Sequence, residues 1–105
     1  MKKLKVGARH IPIEYHTSES LNRLFPNICD SETEALMGIW SGFKQKIFLN
    51  SAQVGDKKFT TLIHEVGEMI NDEYGLEMDH VQLTTFCKVF SDIFVDNKKE
   101  IKRLF

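Results

Sequence analysis

The chain has 105 residues, 42% hydrophobic and 28% charged, the make-up of one globular domain with one core rather than of a disordered chain. Its formal net charge is -1, from 14 Lys and Arg against 15 Asp and Glu. With no basic excess to neutralise phosphates, nucleic acid is not an expected partner, and no apolar run is long enough to span a membrane.

The first residues, MKKLKVGARHIPIEY, carry lysines but no apolar stretch of signal-peptide type. Cys29 and Cys87 are two isolated cysteines, not a disulfide framework, and Cys87 reads as a small core hydrophobe. A cytoplasmic location is the expectation. Ile11, Ile13 and Tyr15 alternate with Pro12 and Glu14, the pattern of a strand with one buried face. Pro12 lacks a donor, which puts this strand at an edge or pairs it on one side only at that point. Thr17 or Ser18 is placed to cap a short helix holding Leu21 and Leu24 and ending near Pro26. Ser31 with Glu34 has the spacing of a second cap.

LMGIW and KIFLN read as the strands of a hairpin between Met37 and Asn50, turning around Lys44 to Lys46. A helix is expected from about Lys57 to Tyr74, with Asp56 as N-cap and Gly75 as a left-handed C-terminal cap. The next helix should open at Asp79, at capping-box spacing from Gln82, with Leu83, Phe86, Phe90, Ile93 and Phe94 as its apolar stripe. It should end near Asp96-Asn97, leaving residues 97–105 as a tail that either docks loosely through Ile101, Leu104 and Phe105 or frays. Strands first and helices after give an α+β fold: a small antiparallel sheet of about three strands packed on two long helices, in a single domain of residues 1–105.

The chemistry is concentrated in TLIHEVGEMINDEYGLEMDH, residues 61–80. A helix turns roughly 100° per residue, so His64 and Glu68 share one face, about 40° apart. Side chains at that spacing reach one tetrahedral zinc ion. The apolar residues Phe59, Leu62, Ile63, Val66 and Ile70 cluster on nearly the opposite side, which frees His64 and Glu68 to face a cleft. Glu65 sits on the neighbouring flank, where a carboxylate is needed to take a proton from water and pass it to a leaving amine. A third ligand must come from elsewhere, and His80 qualifies because Gly75 lets the chain reverse and bring it back. Two His and one carboxylate suit catalytic zinc with an open fourth position.

TLIHEVGEMI resembles the active-site helix of zincin metallopeptidases, which carries Thr-Leu-hydrophobic-His-Glu-x-x-His. The wider arrangement resembles small phage- and prophage-encoded relatives of the ImmA/IrrE metallopeptidases, on Gly38, Ile47 to Leu49, Thr61 to Glu68, Gly75-Leu76, His80 and Asp96-Asn97. That resemblance covers roughly residues 37 to 97. It implies a zincin-like zinc endopeptidase acting on a protein or peptide substrate, in the host cytoplasm if phage-encoded. The chain departs from the commonest motif: Glu68 stands where that motif has His, and His80 stands downstream where many relatives have Glu.

Rival readings are a catalytically inactive zincin-like module that binds a host protein, and a structural zinc site in which Cys29 or Cys87 fills the fourth position. His10 and His16 have no partner at metal-ligand spacing and read as satisfied or solvated histidines. Asp72, Glu73 and Glu77 are candidates to orient the ligand histidines, and Tyr15 and Tyr74 to stabilise an oxyanion. Met37, Met69 and Met78 read as core filler, and Trp40 and Phe43 as hairpin core or rim. The strand Lys46 to Asn50, if it forms the sheet edge, offers an extended substrate a pairing partner.

Overall fold

The computed structural model describes residues 1–28 and 36–105. Cys29 and the expected cap of Ser31 with Glu34 lie outside the described residues. The fold is α+β, and the chain divides into two compact units, Met1–Val54 and Gly55–Phe105.

The first unit holds β1 (Lys3–Val6), β2 (Arg9–His16), α1 (Ser18–Leu24), β3 (Gly38–Ser41) and β4 (Lys46–Asn50). Among the described residues the sheet has four strands, in the order β1-β2-β4-β3. It is mixed rather than purely antiparallel: β1 and β2 form one hairpin, β3 and β4 another, and β2 runs parallel to β4. The extra strand, β1, alternates exposed Lys3 and Lys5 with half-buried Leu4 and Val6, but it is only four residues long and this brief pattern does not stand out among the lysines of the first residues. Gly7, at φ 61°, turns the chain from β1 into β2.

Pro12 pairs on one side, as its missing donor requires. Ile13 N–H donates to the Lys2 carbonyl toward β1, and the ladder to β4 starts only at Ile13. β4 lies between β2 and β3, so it is not the edge expected for substrate pairing; β1 and β3 hold the edges. Ile47, Phe48 and Leu49 are all buried, the continuous apolar run of an interior strand rather than an alternating one.

Thr17 caps α1, its side chain accepting from Ser20 N–H. Leu21 of α1 is fully buried and joins Ile11, Ile13, Ile47, Phe48 and Leu49 in the core. A buried side chain of this kind contributes about 1.5–3 kcal/mol. The buried Asn50 is fully engaged: its amide donates to Ser18 Oγ and the Leu36 carbonyl, and its Oδ1 accepts from Ala52 N–H. Phe43, at the hairpin tip, is 97% exposed, while Trp40 is half-buried.

The second unit holds α2 (Gly55–Tyr74), α3 (His80–Asp96) and α4 (Lys98–Lys102). Asp56 is not the N-cap of α2. The helix starts one residue earlier, and Asp56 in its first turn pairs with Lys98 at 2.7 Å. Gly75 (φ 62°) ends α2 as expected, and Leu76 N–H bonds back to the Asn71 carbonyl at 3.3 Å. Asp79 and Gln82 form the expected capping box at the head of α3.

The apolar patterns of both long helices sit differently from expectation. On α2 the buried residues are Glu65 and Met69, while Phe59, Leu62, Ile63, Val66 and Ile70 are half-buried. On α3 the buried line is Leu83, Cys87 and Ser91, and Phe86, Phe90 and Ile93 of the expected stripe are exposed. Close helix approach selects the smaller side chains. A Cβ built on Gly67 of α2 would lie 2.4 Å from Cys87 Sγ and 3.3 Å from Leu83 Cδ1. The tail forms α4, with Ile101 half-buried and Leu104 and Phe105 exposed. No helix among the described residues is long and apolar enough to cross a membrane.

Candidate metal-binding site

α2 and α3 bring the expected site residues together. His64 and Glu68 stand one turn apart on α2, with His64 Nε2 at 3.4 Å from Glu68 Oε1. The capping box makes His80 the first residue of α3, and His80 Nδ1 lies 3.7 Å from that same Glu68 oxygen. The two imidazole rings meet edge to face with centroids 6.1 Å apart. One carboxylate oxygen therefore faces a nitrogen from each histidine.

The surroundings of these donors are graded. His64 and Glu68 have side chains 30% and 33% exposed, whereas His80 is 78% exposed. Glu65 is buried, and its Oε2 has no hydrogen-bond partner among the described residues. Burial, and then the neighbouring charge of Glu68, push the Glu65 carboxyl up to about 8. Burial also pushes the Cys87 thiol up, helped by Glu68 and Glu65, so Cys87 stays a thiol beside the two carboxyl groups.

The donor chemistry fits zinc: two imidazoles and a carboxylate, with one coordination position to spare. The spacing is that of a triad in which both imidazoles approach one oxygen of Glu68 directly. Among the described residues, no three or more His, Cys, Asp and Glu side chains are arranged as they stand to hold a metal ion. The chain matches no family model, no curated protein and no solved structure.

Two residues that support the site were not expected from the sequence. Asn71 of α2 clamps the turn that leads to His80, and Gly67 lets α3 approach α2 beside Glu68. A glycine inside a helical pattern is a readable signal of close packing, whereas nothing in the sequence marks Asn71. Of the other candidates, Glu77 and Tyr74 are exposed. Tyr15 belongs to the first unit, where its hydroxyl donates to the Met1 carbonyl.

Proposed function

We propose that this chain is a minimal zinc-dependent hydrolase, an endopeptidase acting on a protein or peptide substrate, of the zincin-like type. His64, Glu68 and His80 are the metal donors and Glu65 is the general base. What carries this reading is the meeting of two histidine nitrogens on one Glu68 oxygen, beside a buried carboxyl with an oxygen that has no partner among the described residues. Zinc held there supplies a Lewis acid for the scissile carbonyl and lowers the pKa of water.

The protein's own part is proton handling. Glu65 takes the proton of the attacking water and returns it to the amine as the C–N bond breaks. Its high proton affinity in the metal-free site suits the second task, and a nearby dication would lower that affinity to suit the first. The test is elemental analysis of purified protein beside the His64→Ala variant. About one zinc per chain, lost in the variant, supports the site; no metal in either after zinc is supplied removes it.

A second reading, an inactive protein-binding module, is favoured by one observation. Val81, Phe86, Val89, Phe90 and Ile93 of α3 are exposed together, a run of large apolar side chains turned to solvent. Hydrolysis of an unfolded protein with and without chelator separates the two. Chelator-sensitive cleavage selects the hydrolase; metal binding without cleavage selects the module.

A further inference from the structure

The first unit carries a cluster of a different chemistry. His16, the last residue of β2, lies between Ser20 of α1 and Glu14 of its own strand. Its Nδ1 is 3.0 Å from Ser20 Oγ, and its Nε2 is 3.0 Å from Glu14 Oε1. Both are hydrogen-bond distances. An ionised carboxylate only accepts, so the neutral imidazole carries its proton on Nε2 and leaves Nδ1 to accept from the Ser20 hydroxyl.

The neighbours keep this arrangement in place. Lys46 Nζ donates to the other Glu14 oxygen at 2.6 Å. That bond first, and the one to His16 second, hold the Glu14 carboxyl below the usual carboxylate range. The parallel ladder that sets Glu14 against Phe48 and His16 against Asn50 also brings the Phe48 ring to 5.4 Å from the imidazole. Ser20 is fixed from its other side by the Thr17 cap, which accepts its N–H at 3.2 Å. Nucleophile to base and base to orienting acid is the chain of hydrogen bonds that activates a serine, with the two imidazole nitrogens exchanged relative to the usual order.

We propose that Ser20 is an activated nucleophile, with His16 as its base and Glu14 as the residue that positions His16, and that it accepts acyl groups from activated esters. Ser20 Oγ attacks the carbonyl carbon while its proton passes to His16 Nδ1. The bond from the acyl carbon to Ser20 forms, the ester C–O bond breaks, and the leaving oxygen takes the proton from His16. Water then attacks the acyl-serine, again through His16 Nδ1, and releases the carboxylic acid while Ser20 regains its hydrogen. Aryl esters are the fitting class, because a phenolate leaves with the least help at the carbonyl oxygen. The cluster shares no residue with the His64 site, so neither reading depends on the other.

The experiment incubates the full-length protein with 4-nitrophenyl acetate, and separately with a fluorophosphonate probe, and maps adducts by peptide mass spectrometry. The expected result is one adduct per chain, on Ser20, unaffected by chelator and by Glu65→Gln. His16→Ala, and His16→Gln as a second variant, should slow its formation about 100-fold. Glu14→Gln should lower kcat for the ester about tenfold or more at unchanged KM, a split that a purely structural role would not give. No adduct on wild-type Ser20, adducts spread over lysines instead, or equal rates in folded His16 variants would overturn the proposal.

Discussion

Asn71 grips Met78 at both backbone groups: its amide donates to the Met78 carbonyl at 3.0 Å, and its Oδ1 accepts from the Met78 N–H at 2.9 Å. Asn71 lies in the last turn of α2, and Met78 stands two residues before His80. The clamp spans a turn in which Gly75 and Glu77 both adopt left-handed conformations, at φ 62° and 59°. A non-glycine residue is strained in that region, so the turn needs an external hold, and Asn71 provides it.

Asn71→Ala should therefore destabilise the protein by about 2 kcal/mol, since it strands two partly buried backbone groups. Urea unfolding measures this. If zinc is bound, its affinity should fall in the same variant because His80 loses its fixed approach. Unchanged stability would show that water replaces the clamp without loss.

Gly67→Ala pits helix propensity, a gain of about 1 kcal/mol, against a collision with Cys87 Sγ at 2.4 Å. The sulfur sits on a short side chain in a buried line of α3 and has little room to move, so overpacking should win, with a net loss of about 1–3 kcal/mol. Adding Cys87→Ala should recover part of that loss. A double-mutant cycle in thermal or urea unfolding reads the coupling, and strictly additive effects would contradict the contact.

Glu65 makes metal-free stability depend on pH in a definite direction. Its carboxyl is raised from 4.5 to about 8 in the folded chain, by burial first and Glu68 second. Between those values the native state binds the extra proton. The contribution is therefore complete below pH 4.5 and is lost as pH rises through about 8. The slope reaches up to about 1.4 kcal/mol per pH unit. Glu65→Gln should flatten the profile in chelator; a wild-type curve without this fall would mean that Glu65 is solvated in solution.

For the proposed hydrolase, Glu65→Gln should keep the metal and abolish turnover, by about 100-fold or more. Cleavage assays with metal analysis on the same sample decide this. Turnover retained in the variant removes Glu65 from the mechanism.

Chelation should stop cleavage while leaving the far-ultraviolet circular dichroism unchanged, because Leu83, Cys87 and Met69 pack without metal. Global unfolding on chelation would instead point to the structural zinc reading.

Where an element is specified by neighbours in the chain, the sequence alone determined it. The alternation of Ile11 and Ile13, the Thr17 cap, the Asp79–Gln82 box and the left-handed Gly75 are local signals, and each marks its element correctly. The i, i+4 spacing of His64 and Glu68 belongs to the same class, since a helix of this length puts them side by side whatever surrounds it. Features that depend on contacts between distant residues were decided only in three dimensions. The parallel register of β2 on β4 turned an expected edge strand into an interior one and brought Lys46 to Glu14 and the Phe48 ring to His16. The meeting of Cys87 with Gly67 selected which side of α3 is buried, leaving Phe86 and Ile93 exposed. The burial of Glu65, invisible in a pattern that scores it as polar, raised its proton affinity, because desolvation depends on everything packed around a group and not on its place in the chain.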